Sequence, residues 1–170
     1  MPDLAGHMNR HRLEPTSLAQ HRPRLVRAAY AMSGSHEDAE DLVQETFERV
    51  LRRPRFVHHD RDLAYLLRAL RHICMAHARS AQRRRTAPSP PEELEWLTDG
   101  RSTPELALDA QIAYAAMAEL SEPLRATIVA VDVAGLSYKE AARSLRTRVG
   151  TIMSRLYRAR EQVADALEGS

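Results

Sequence analysis

Apolar residues recur at intervals of three and four along nearly the whole chain, and this spacing constrains the fold more than any other feature. Leu63, Leu66, Leu67, Leu70, Ile73 and Cys74 form one stripe. Ala39, Leu42, Val43, Thr46, Phe47 and Val50 form another, and Val149, Ile152, Leu156 and Ala159 a third. Such intervals place side chains on one face of a helix, whereas a strand would need alternation. Glycine and proline sit mainly at the boundaries between stripes, as in Ser33-Gly34-Ser35 and at Pro54. The expectation is an all-α fold.

The stripes and their punctuation predict helices over about 17–32, 36–53, 62–84, 105–119, 121–134, 137–145 and 148–167. Leu18, Leu25, Val26 and Ala29 face inward in the first, and a loop spans 53–62. Ser35 with Asp38 three residues on, and Ser137 with Glu140, mark helix starts of the capping-box kind. Pro123 suits a first helical turn, where its missing N–H costs nothing. Residues 86–105, TAPSPPEELEWLTDGRSTPE, hold four of the nine prolines and the only tryptophan. They read as a flexible linker. The chain therefore divides into a disordered leader (1–16), a helical domain (17–85), an acidic Pro-rich linker (86–107) and a second helical domain (108–170). Met8 is a second candidate start.

The formal net charge of +2 hides an uneven distribution. Residues 17–85 carry 14 Arg against 8 Asp and Glu, while residues 86–110 carry 1 Arg against 6 acids. Residues 111–170 carry 8 basic and 7 acidic side chains. Two basic blocks thus flank an acidic segment, and their cations are nearly all arginine, whose fork suits phosphates and guanine edges. The single Cys74 excludes an intramolecular disulfide and fits a reducing compartment. No run of 18 apolar residues marks a membrane span, and the N-terminus has no apolar core for a signal peptide, so a cytoplasmic location is expected. No Gly-rich phosphate loop or H-E-x-x-H pattern is present. No enzymatic activity, cofactor, metal or small-molecule substrate is expected. The histidines His58, His59, His72 and His77 invite a metal or redox reading around Cys74, but His72 and His77 are five residues apart, on different helix faces, so Cys74 reads as a buried structural thiol.

From 135 to 160 a short helix, a tight turn at 145–147 and a longer helix describe a helix-turn-helix, whose second helix enters the DNA major groove. Ile152, Leu156 and Ala159 hold that helix to its domain. Thr151, Ser154, Arg155 and Arg158 share an outward face, where arginines suit base edges and hydroxyls suit phosphates. A solvated amphipathic helix is the plainer alternative.

The segment GLSYKEAARSLRTRVGTIMSRLYRARE resembles region 4 of the sigma-70 family in its extracytoplasmic-function (ECF) group. There the pattern runs approximately G-L-S-Y-x-E-I-A, then L-G, then V-G-T-V-K-S-R-L-x-R-A-R. DAEDLVQETFERVLRR (38–53) resembles region 2 of the same group. Together the resemblance covers roughly 17–85 and 108–167. It implies a bacterial initiation factor that binds core RNA polymerase. Region 4 would read the −35 element through Arg148, Thr151, Ser154, Arg155 and Arg158. Region 2 would read and open the −10 element through Arg55, Phe56, His58, His59, Tyr65, Arg68, Arg71, His72 and Arg79. Asp38, Asp41, Gln44, Glu45 and Glu48 would face the coiled coil of the polymerase β′ clamp, since acids repel DNA. The β flap, promoter DNA and a cognate anti-sigma factor complete the implied partners, with a monomer when free.

Stacking of Phe56 or a histidine on an unpaired −10 base contributes about 1–3 kcal/mol; the alternative places Phe56 in the core. Glu92, Glu93, Glu95 and Asp99 of the linker suit a basic polymerase channel, or form a simple tether. Several residues depart from the family pattern. Tyr65 stands where Trp is frequent, His72 where Asn is expected, Met153 where Lys is common, and Arg146 where the turn usually has Gly. A left-handed Arg146 would cost about 1–2 kcal/mol. A helix-turn-helix regulator acting without polymerase is the remaining alternative. It leaves residues 38–53 unexplained.

Overall fold

The structure, a computed structural model, describes residues 10–81 and 103–169. It contains eight α-helices among these residues: α1 (Pro15–Ala19), α2 (Arg22–Ser33), α3 (His36–Arg52), α4 (Asp62–Ala81), α5 (Pro104–Glu119), α6 (Glu122–Ile128), α7 (Tyr138–Ser144) and α8 (Val149–Glu168). Two short strands, β1 (Arg10–Arg12) and β2 (Phe56–His58), pair antiparallel with Arg10 opposite His58 and Arg12 opposite Phe56.

Local chemistry explains the boundaries. Gly34 adopts the left-handed conformation (φ 76°) that closes α2, and the Ser35 side chain accepts a hydrogen bond from the Asp38 N–H to open α3. At α7 the expected capping box is present. The Glu140 N–H donates to Ser137 Oγ at 3.3 Å, and the Ser137 N–H donates to Glu140 Oε2 at 2.7 Å.

Four expectations change. The helix expected over 17–32 is two helices, because Pro23 lies in the first turn of α2 and cannot continue a helix from α1. The segment expected to be an unstructured leader carries β1 and the start of α1 from Arg10 onward, with Leu13 buried. The helix expected over 121–134 finishes as a π-helical turn, Val129–Val133, with the Ala134 N–H on the Val129 carbonyl at 2.8 Å. The expected linker ends sooner than residue 107, since α5 starts at Pro104 behind a Thr103 cap. The acidic residues Glu92, Glu93, Glu95 and Asp99, with Trp96, lie outside the described residues.

The N-terminal half packs α2, α3 and α4 around Leu25, Val43, Leu66, Leu70 and Ile73. The C-terminal half packs α5, α6, α7 and α8 around Val129, Ile152 and Leu156. Buried apolar contacts run continuously between the halves. Three polar or aromatic contacts reinforce the junction. Tyr30 and Tyr114 lie with ring centroids 5.4 Å apart. Arg71 Nε donates to Glu122 Oε1 at 2.7 Å. The buried Ser144 hydroxyl donates to the Ala64 carbonyl at 3.0 Å.

Candidate nucleic-acid interface

The turn between α7 and α8 sets the angle of the outer helix. The Leu145 N–H returns to the Ala141 carbonyl at 2.9 Å and the Thr147 N–H to the Ala142 carbonyl at 2.9 Å. Arg146 between them takes a left-handed φ of 52°. This is the backbone that the family's glycine would adopt without strain, and for arginine it costs about 1–2 kcal/mol.

α8 buries Ile152, Leu156, Ala159 and Val163, whereas Val149 at the helix start is exposed. Its outer face carries Ser154 and Arg158, with Thr151 and Arg155 half-buried beside them and the exposed Arg148 at the N-cap. The Ser154 hydroxyl donates to the Thr151 carbonyl at 3.1 Å. Met153, which stands where the family commonly has Lys, is 54% exposed here, and sequence reasoning missed its neighbour Tyr157, which is 65% exposed. The spacing of four from Met153 was the available signal, but a tyrosine there reads as core. A hydrogen bond to Glu161 raises the Tyr157 pKa. The root of α8 is braced by a forked pair in which Arg160 Nε and Nη2 donate to the two Asp132 carboxylate oxygens at 2.9 and 2.7 Å.

The second basic surface is assembled from distant segments. Arg55, Phe56, His58, Tyr65 and Arg68 line a groove of about 350 Å³ together with Arg10, Arg61 and Arg143. Phe56 is 61% exposed, so the core alternative for it fails, and Val57 is buried in its place. The Arg12 guanidinium lies 5.2 Å from the Phe56 ring centroid. The Arg10 side chain donates to His58 Nε2 at 3.1 Å. An adjoining groove of about 820 Å³ takes in Arg55, Tyr65, Arg68 and His72, with Arg53 and Arg146 on its walls and Glu45 and Glu48 along one edge. Burial holds the His72 pKa below its usual value, and the guanidinium groups of Arg68, Arg71, Arg146 and Arg49 add to the depression.

Not every expected residue joins these grooves. Arg71 turns towards the other half of the molecule and pairs with Glu122. Arg79 is exposed near the far end of α4 and lines neither groove. His59 stacks on His11 with centroids 3.5 Å apart. Arg10, Arg12, Arg61, Arg143 and Arg146 were not anticipated here, because no local pattern tells which distant segments a loop will meet.

The acidic stripe lies along one side of α3. Asp38, Asp41, Gln44 and Glu48 are exposed and Glu45 is half-buried. Glu45 accepts from Arg49 at 3.0 Å and lies 2.7 Å from His77 Nε2 on α4, and Glu48 pairs with Arg52 at 3.4 Å. Gln44 Nε2 donates to Glu48 Oε1 at 3.3 Å. Exposed pairs of this kind contribute about 0–1 kcal/mol each, so the stripe remains open to a partner. Burial pushes the Cys74 thiol up to about 12, which leaves it protonated at neutral pH and without thiolate chemistry.

A helix-turn-helix with an open basic face, packed on a helical lobe with which it frames a second arginine-rich groove, defines a two-lobed protein with two basic surfaces. Residues 18–84 match Sigma-70 region 2 and residues 110–163 match Sigma-70, region 4. The chain belongs to the sigma-70 family. It is 35% identical over 155 residues to the ECF RNA polymerase sigma factor SigE of Mycolicibacterium smegmatis, covering 87% of this chain and 59% of that protein. It is 32% identical to the ECF RNA polymerase sigma factor SigM of Mycobacterium tuberculosis, covering 87% of this chain and 74% of SigM. The chain spans less than two thirds of SigE and 56% of a third relative, the probable ECF sigma factor SigI of M. tuberculosis. Among solved structures, the sigma factor RpoE of Bartonella quintana, crystallised with the anti-sigma factor NepR, superposes with a TM-score of 0.75 at 26% identity. That match covers 90% of this chain and 95% of RpoE. Among the described residues no helix is long and apolar enough to cross a membrane.

Proposed function

We propose that this protein is an ECF-type initiation factor that binds bacterial core RNA polymerase and directs it to specific promoters. The observation that carries the proposal is the pairing of two different basic surfaces on one chain. α8 offers a rigid helix face sized for a major groove. The Phe56 groove offers exposed aromatic and imidazole rings among arginines, the chemistry that holds unstacked bases. A regulator of duplex DNA alone would have no use for the second surface.

In this reading Arg148, Thr151, Ser154, Arg155 and Arg158 meet the −35 duplex, with Met153 and Tyr157 beside them. Arg55, Phe56, His58, Tyr65, Arg68 and His72 hold the −10 strand. Arg79 contributes at most to backbone attraction, and Arg71 joins only after parting from Glu122. Asp38, Asp41, Gln44 and Glu48 face the β′ clamp coiled coil, while Glu45 doubles as a brace to α4 through His77. Contact of region 4 with the β flap and control by a cognate anti-sigma factor follow from the family; RpoE was itself crystallised with one. The chemistry of RNA synthesis stays with the polymerase, and the protein acts in the cytoplasm.

Run-off transcription with purified bacterial core polymerase on a promoter library tests the reading. Transcripts that need the protein support it, as does their loss in Asp41→Arg with helicity intact. No transcripts and no core binding would leave a helix-turn-helix regulator.

A further inference from the structure

Three proton-accepting side chains from three separate segments meet beneath the Phe56 loop. His11 is the middle residue of β1, His59 opens the 3₁₀ turn that follows β2, and Asp62 is the first residue of α4. One ligand-capable atom from each lies within 4.8 Å of the others. Asp62 is only 3% exposed. His11 Nε2 sits 3.0 Å from Asp62 Oδ2, so as long as Asp62 is a carboxylate this nitrogen carries the ring hydrogen. That tautomer leaves a bare lone pair on His11 Nδ1. Both that atom and Asp62 Oδ1 are buried with no hydrogen-bond partner. Buried polar atoms are almost always partnered, and each unpartnered one calls for an explanation.

The unpartnered Asp62 Oδ1 is an electron-pair donor, and His11 meets the same carboxylate through Nε2, so its Nδ1 lies on the far edge of the ring. His21, whose charge also acts on Asp62, is held towards its neutral form by burial, with Asp62 opposing the depression and Arg24 adding to it. A cation held by Asp62, His59 and His11 Nε2, in place of the hydrogen between His11 and Asp62, would partner the orphan oxygen. We propose that His11, His59 and Asp62 form a binding site for a divalent transition metal of the Zn²⁺, Co²⁺ and Ni²⁺ class. Two imidazoles and a carboxylate match these borderline ions, whereas Mg²⁺ and Ca²⁺ favour all-oxygen shells. Around a tetrahedral ion with metal–ligand distances near 2.1 Å, donors sit about 3.4 Å apart. Binding therefore requires the donors, now within 4.8 Å of one another, to draw closer and the His59 ring to turn out of its stack on His11 so that its in-plane lone pair meets the ion, a motion open to His59 because it is exposed. Solvent completes the shell. The ion would tie the strand that precedes α1 to the loop that presents Phe56 and His58, making order in that loop depend on metal.

The test is titration of the full chain, stripped with chelator, with Co²⁺ alone, followed by its visible ligand-field absorption and then by displacement with Zn²⁺. One equivalent of Co²⁺ with a histidine-type spectrum is expected, with no competition from Mg²⁺. Removing even an outer-shell partner of a metal ligand loses roughly 10–100-fold in affinity, so His59→Ala and His11→Ala should each lose about 100-fold or more. His77→Ala, towards the C-terminal end of α4 beside Glu45, should bind as the unaltered protein does. Hydrogen exchange at residues 10–13 and 56–59 should slow on adding Zn²⁺, and the His59→Ala protein should not respond. Circular dichroism checks that His59→Ala stays folded, as an exposed side chain predicts. Absence of stoichiometric Co²⁺ binding, or binding that His59→Ala leaves unchanged, overturns the proposal and assigns the orphan lone pairs to an ordered water.

Discussion

The outer face of α8 and the groove beside Phe56 are both basic, yet they are built in opposite ways. α8 is one continuous helix whose outward residues, with the N-cap Arg148, come from the single stretch 148–158, anchored by Ile152, Leu156 and Ala159 beneath. The groove gathers Arg10, Arg55, Phe56, Tyr65, Arg68 and Arg143 from β1, the segment before and within β2, α4 and α7. The first surface is decided by the 3.6-residue turn. The second exists only when both halves of the molecule are folded and in contact. A helix face can thus be kept while the rest of the chain changes, whereas the groove is exposed to changes in four elements.

Four experiments break or sharpen this contrast. The largest effect is expected from the core. Ile152→Ala and Leu66→Ala each empty a fully buried site and should each lose about 2–5 kcal/mol. Because buried contacts run through both halves, urea unfolding followed by circular dichroism and by tyrosine fluorescence should shift as one transition in either variant. Two separated transitions would show that the groove's two contributing halves fold independently.

Next come the surfaces themselves. Arg155→Ala should weaken duplex promoter binding by about 1–3 kcal/mol and lower the dependence of affinity on salt by about one counterion. Arg55→Ala should leave duplex binding alone and weaken binding to an unpaired −10 strand. Fluorescence anisotropy on the two DNA forms, with polymerase core present, reads both. Equal effects of the two variants on both forms would erase the division of labour.

A smaller gain is expected at the turn that joins α7 to α8. Arg146→Gly relieves the left-handed strain and should stabilise the protein by about 1 kcal/mol in thermal unfolding. It also removes a cation from the larger groove, so −10 strand binding should fall slightly while stability rises. A loss of stability would mean that the Arg146 side chain contributes more than its backbone costs.

The smallest effect concerns pH. His72 titrates below its usual 6.5 in the folded protein, chiefly through burial and then through the surrounding arginines. The unfolded chain therefore binds its proton first. Stability from this group is complete above 6.5 and declines as pH falls through 6.5 towards the folded-state value. His72→Asn should lose less stability between pH 7 and pH 5.5 than the unaltered protein. An identical decline would remove His72 from the basic groove's electrostatics.

Local periodicity and capping by themselves determined that the chain is helical, where α3, α5, α7 and α8 begin within a residue or so, and which face of α8 points outward. These follow from interactions between residues three or four apart, which any reader of the sequence can count. Ser137 with Glu140 and the stripe from Ile152 to Ala159 are of this kind. Tertiary structure alone decided that β1 pairs with β2, that Phe56 points out and Val57 in, that Arg71 reaches Glu122, and that His11 lies against Asp62. Each joins residues tens of positions apart, and the three-residue strands are too short to show an alternation of their own. Their pairing depends on how α2, α3 and α4 pack, and that packing is a property of the whole core, which no single stripe of the sequence contains.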